Sequence, residues 1–119
     1  MLKIMGITVI KDNISKEKLA QMARESFGDM VKAVVDVRQE IMAIGGELHA
    51  DEEVLLSEQE HSKREDTWGV NLYPGKSGME LIEFDSMVNL KPAYGNRSRG
   101  VEDPAIQTKI RAVVAKIVK

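Results

Sequence analysis

Apolar and polar residues alternate along this chain in two periods. Residues 3–10 (KIMGITVI) are rich in β-branched side chains and stop at Lys11-Asp12-Asn13, which predicts a strand. Ser15 then opens a helix whose apolar face is Leu19, Met22, Ala23 and Phe27 and which Gly28 ends. From Met30 to Leu48 the pattern supports two structures. Met30, Val34, Val37, Ile41 and Ile44 fit a helical stripe, while Val31, Ala33, Val35 and Val37 alternate with Lys32, Val34, Asp36 and Arg38. So many β-branched residues lose side-chain freedom in a helix and fit a pleated surface, so the hairpin is preferred. Its turn falls at Arg38-Gln39-Glu40. Its second strand runs from Ile41 toward Leu48, and Gly45-Gly46 marks a bulge or a close backbone approach.

Asp51, Glu52 and Glu53 ahead of Val54-Leu55-Leu56 predict a short helix capped by Asp51, because acidic residues complement the positive end of the helix dipole. Residues 58–67 (EQEHSKREDT) read as an exposed loop. Trp68–Tyr73 reads as a strand stopped by Pro74-Gly75. Leu81–Leu90 reads as another, with Ile82, Phe84, Ser86 and Val88 on one face and Glu83, Asp85, Met87 and Asn89 on the other. Asp103-Pro104 starts a last helix with the stripe Ile106, Ile110, Val113, Val114 and Ile117. The expectation is an α+β fold: one domain over residues 1–119, a largely antiparallel sheet, an N-terminal helix, a short middle helix and a C-terminal helix.

Composition narrows the chemistry. Within 119 residues there are 17 Lys plus Arg and 19 Asp plus Glu, a net charge of −2, so general attraction to nucleic acid or membrane is not implied. The chain has no cysteine, which excludes disulfides, thiolate metal sites and cysteine nucleophiles. No apolar run approaches the ~20 residues of a membrane span, and Lys3 interrupts the N-terminal apolar stretch, so the expected location is cytoplasmic. Asn96-Arg97-Ser98 matches a glycosylation pattern that has no meaning without secretion.

The segments FGDMVKAVVDVRQEIMAIGGELHADEE, WGVNLYP and IEFDSMVNLKPAYGNRSRGVEDP resemble a small prokaryotic domain family of unknown function, from about Phe27 to the last helix. The resemblance implies a compact cytoplasmic domain and carries no activity or site residue with it; set against that family, Glu40 stands where a hairpin glycine would be easier.

Two charged stretches are candidates for chemistry. Residues 47–60 hold Glu47, Asp51, Glu52, Glu53, Glu58 and Glu60 without a Lys or Arg, and 97–119 hold Arg97, Arg99, Lys109, Arg111, Lys116 and Lys119 against Glu102 and Asp103. Arg97, Ser98 and Arg99, with Asn96 and with Tyr94 for stacking, present the forked donors that a phosphate or carboxylate takes; surface ion pairing explains the same arginines. His49, Asp51 and Glu53, helped by Glu83 or Asp85, offer oxygen and nitrogen ligands for a divalent metal and hydrolysis, although no metal-binding motif is present. Pro74-Gly75-Lys76-Ser77-Gly78 fails as a phosphate loop because Val70 occupies the position of its first glycine. Trp68, with Asn71 and Tyr73, lines a pocket or anchors a core or subunit contact, and seven Met suit a soft core or partner surface. The leading expectation is a binding module for a small anionic ligand that needs no cofactor. The alternatives are a metal-dependent hydrolase and a self-assembling domain, and a homo-oligomer suits the charge segregation.

Overall fold

In the computed structural model, which describes residues 6–119, alternating residues become strands and periodic ones helices. The order is β1 (Thr8–Ile10), α1 (Lys16–Glu25), β2 (Val31–Asp36), β3 (Ile41–Ile44), α2 (His49–Glu60), β4 (Thr67–Leu72), β5 (Ile82–Glu83) and α3 (Pro104–Ile117). The strands form one antiparallel sheet in the order β1-β3-β2-β4-β5. Residues 3–5 of the predicted first strand lie outside the described residues.

The hairpin is the centre of the sheet. Register places Ala33 opposite Ile44 and Val70, and Val35 opposite Met42 and Trp68, so these side chains share a face. That face meets Leu19 and Ala23 of α1 and Ile110, Val113, Val114 and Ile117 of α3 in the main core. On the other face Val34, Ile41 and Ala43 pack beneath Leu56 of α2. Deleting apolar area from either layer costs about 25 cal/mol for each Å² returned to water. Local signals set the ends. Ser15 accepts from Lys18 N–H and Asp103 from Ala105 N–H, with Pro104 at the first helical position. In the hairpin turn the buried Asp36 carboxylate accepts from the N–H groups of Arg38 and Gln39 and from the Ser62 hydroxyl (2.6 Å). Glu40 has φ of 59°, the left-handed conformation that glycine adopts more cheaply. After β3 the chain passes so close to Gly6 that a Cβ on Gly45 would lie 2.5 Å from the Gly6 carbonyl oxygen, so the predicted close approach is real and β3 stops at Ile44.

Three expectations need correction. The middle helix has 12 residues rather than a short turn over 51–56, and its last residues fall in the predicted loop, because Ser57, Glu58 and Gln59 are polar as a solvent-facing side rather than as a loop. Leu48, not Asp51, is its N-cap, and it makes no side-chain cap hydrogen bond. The strand predicted over 81–90 is two residues long. Ser86 turns its hydroxyl back to accept from Val88 N–H, and Met87–Asn89 wind into a 3-10 turn that buries Asn89 and exposes Met87. The Asn89 carboxamide then does what a strand backbone would. Its Oδ1 accepts from Gly69 N–H (2.8 Å) and its Nδ2 donates to the Gly69 carbonyl (3.0 Å), extending the pairing of β4 with one side chain. A Cβ on Gly69 would meet Ser86 Oγ at 2.5 Å, so this contact requires glycine there.

Asn89→Ala is expected to lower stability by about 2–6 kcal/mol, from ~1–3 kcal/mol for each of the two orphaned backbone groups of Gly69, as urea denaturation would show. Glu40→Gly is expected to leave stability unchanged or raise it by up to ~1 kcal/mol, since relief of the backbone outweighs the exposed Glu40–Lys116 pair. A loss of stability in that variant would mean the turn is not strained.

Candidate functional site

Helix α2 lies across the face of the sheet that carries Val34, Ile41 and Ala43. His49 in its first turn donates through Nε2 to the Val70 carbonyl (2.8 Å), while Glu53, one turn on, accepts from the Thr67 hydroxyl (2.8 Å), so the helix runs opposite to β4. Burial holds His49 below its ordinary pKa. The neutral ring that donates through Nε2 keeps its lone pair on Nδ1. Glu52 is fully buried. Its Oε2 accepts from Gly46 N–H (2.9 Å), its Oε1 has no partner among the described residues, and burial pushes its carboxyl well above the usual range.

Beyond this helix start lies a polar network of β4, β5 and the chain that follows them. Asn71 pairs with Lys32 of β2 and Glu83 of β5, and its Nδ2 donates to Glu83 Oε1 (2.9 Å). The Tyr73 hydroxyl donates to the same oxygen (3.0 Å). Asp85 takes the guanidinium of Arg99 at 2.6 Å. His49 lies within the electrostatic reach of Lys32, Asp85 and Arg99, so these predicted residues share one end of the sheet. The others do not join them. Asp51 is exposed, and Glu53 is held by Arg64 (3.1 Å) and Thr67. Among the described residues no group of three or more His, Asp or Glu side chains is placed to hold a metal ion.

The loop with the predicted anion-binding residues is organised by Asn96. This buried amide donates to the carbonyls of Asn89 and Gly100 (2.8 Å each) and accepts from Glu102 N–H (2.9 Å). Ser98 Oγ accepts from Gly100 N–H, Arg97 N–H donates to Glu102, and Tyr94 stands 54% exposed at the edge of the loop. Asn96 and Ser98 thus hold the loop's own backbone. Arg99 is spoken for by Asp85, and of the five predicted residues the exposed Arg97 and Tyr94 keep side chains without a polar partner among the described residues.

The loop begins at Lys91, which is 2% exposed. Its ammonium donates to the carbonyls of Arg64 and Thr67 and sits 4.5 Å from the centre of the Trp68 ring. Trp68 is therefore a core anchor, one of the readings its sequence allowed.

A hollow that the sequence did not reveal opens on the opposite face, where the end of α1 meets the chain leaving β4. It measures about 360 Å³. Ala20, Ala23, Gly28 and Gly75 give it small walls, and Arg24, Lys76 and Asp29 line it with charge. The Lys76 ammonium lies 4.8 Å from the centre of the ring of Tyr73, another residue lining the hollow, and neither Lys76 nor Arg24 has a carboxylate within 4.0 Å among the described residues. The hollow takes in the first residues of the failed phosphate-loop match, Pro74-Gly75-Lys76, beside a cation some fifty positions earlier.

Burial lowers the pKa of Lys91 to about 8 from its ordinary 10.5. The folded protein then releases this proton before the unfolded chain does, so stability rises with pH between about 8 and 10.5, by about 3 kcal/mol in all. Urea midpoints measured across that range should show the rise in the wild type and lack it in Lys91→Met. Parallel curves would place the titration elsewhere.

No helix among the described residues is long and apolar enough to cross a membrane. No curated protein and no solved structure matches the chain. The family model described as "Protein of unknown function (DUF5674)" matches residues 8–117, nearly the full length, and the protein belongs to that family.

Proposed function

We propose that this protein is a binding module for a small anionic ligand and that the ligand occupies the hollow between α1 and β4. The observation that carries this reading is the pair of cations there. Arg24 and Lys76 line a hollow walled by small residues, without a carboxylate of their own within ion-pairing distance among the described residues. A carboxylate or phosphate entering it gains charge-assisted hydrogen bonds from a planar fork and from a point charge. The volume, about 360 Å³, lies at the lower end of small-molecule sites and suits a metabolite-sized group. The Arg97–Arg99 loop is the weaker place for the same chemistry, because Asp85 already holds Arg99 and the loop's other polar groups hold its backbone.

Calorimetric titration with inorganic phosphate and with propionate tests this. Arg24→Ala and Lys76→Ala are each expected to weaken binding about tenfold, as loss of one charged hydrogen bond of ~1.5–3 kcal/mol requires. The double variant Arg97→Ala/Arg99→Ala should bind as the wild type does. Binding that survives the loss of Arg24 and Lys76 but not of Arg97 and Arg99 moves the site to the loop and overturns the assignment to the hollow.

A further inference from the structure

We infer that the ligand of this hollow is a small zwitterion of the amino-acid class, its carboxylate taken by Arg24 and Lys76 and its ammonium by Asp29; this rests on the anion reading of the same site. Asp29 lines the hollow together with the two cations, yet no ion pair joins it to either among the described residues. Three charges therefore stand around one cavity without cancelling in contact, two positive and one negative. A plain anion would satisfy the cations and leave Asp29 facing a like charge. A molecule with a carboxylate at one end and an ammonium at the other satisfies all three, because it offers each wall charge a partner of opposite sign.

Asp29 acts electrostatically on the Tyr73 hydroxyl, and the Lys76 ammonium lies over the ring of the same residue, so the negative and a positive charge of the hollow are both near Tyr73. The second positive charge comes from Arg24 in the last turn of α1. Between the charged groups lie Ala20, Ala23, Pro74 and Gly75, which leave room for a short side chain and offer it an apolar wall. A cavity of about 360 Å³ with a single aromatic wall takes a free amino acid and is small for a nucleotide.

Calorimetry with matched pairs tests the inference: L-alanine against propionate and L-leucine against 4-methylpentanoate, each acid being the amino acid without its amino group. In the wild type the amino acid of each pair is expected to bind at least tenfold more tightly than its partner. In Asp29→Asn, an exposed position whose change should leave the thermal melt in place, that preference should vanish because amino-acid binding falls to the level of the plain acid. In Arg24→Ala both members should weaken together. Plain acids that bind as tightly as the amino acids, still dependent on Arg24, would keep the anion reading and overturn the zwitterion. No binding by either member of the pairs or by phosphate would overturn the anion reading and the inference with it.

Discussion

A strand with neighbours along both edges and packing on both faces must satisfy every group it carries from within the protein, and β2 is such a strand. Val31, Ala33 and Val35 are covered by α1 and α3, Val34 by α2, and its backbone is paired with β3 on one side and β4 on the other. The rest of the architecture follows from covering it. Three helices are divided between two faces, and the two short outer strands serve as edges. Polar side chains enter only at the ends of β2. At one end Asp36 closes the hairpin and ties it to Ser62. At the other, Lys32 joins Asn71 and its neighbours where α2 has not yet begun.

That second end divides into two regions of different character. On the α2 face, Asn71, Tyr73, Glu83, Asp85 and Arg99 are engaged with one another, so their hydrogen-bonding capacity holds β5 and the loop behind it in place. On the α1 face the charges are spread around a hollow. Tyr73 connects the two, its hydroxyl in the network and its ring against the ammonium of Lys76. Because the network fixes the hydroxyl, it also fixes the ring, and the Lys76 ammonium has a fixed surface to rest on.

How much of this could be read from the chain depended on how local the cause was. The hairpin was legible because Val and Ile alternate across it, whereas the awkward Glu40 stands out only against the resembling family, where glycine sits more easily. The caps at Ser15 and Asp103 were legible because each acts within three residues. The segment 81–90 misled because Ile82, Phe84 and Val88 keep a strand's spacing, whereas its course is decided by Ser86 and by an Asn89 amide that reaches the backbone of residue 69. Helix α2 outruns its expected length because Glu58–Glu60, polar as a loop would be, form part of a wet helix face. Of the predicted site residues, the convergence of His49, Asp85 and Arg99 on one end of the sheet could not have been read from their spacing. The meeting of Arg24 with Lys76 had no local signature either, since it arises only when α1 lies across the sheet end from which β4 departs.

The placement of the single tryptophan gives the molecule a built-in optical separation of two events. The Trp68 indole is 2% exposed, packed in the main core beneath the ammonium of Lys91, so its fluorescence changes when that core opens. Tyr73 is among the residues that line the hollow, and Trp68 is not. Emission from Trp68 is therefore a reporter of unfolding that occupancy of the hollow leaves dark, whereas a guest molecule would register in the ultraviolet absorbance of Tyr73.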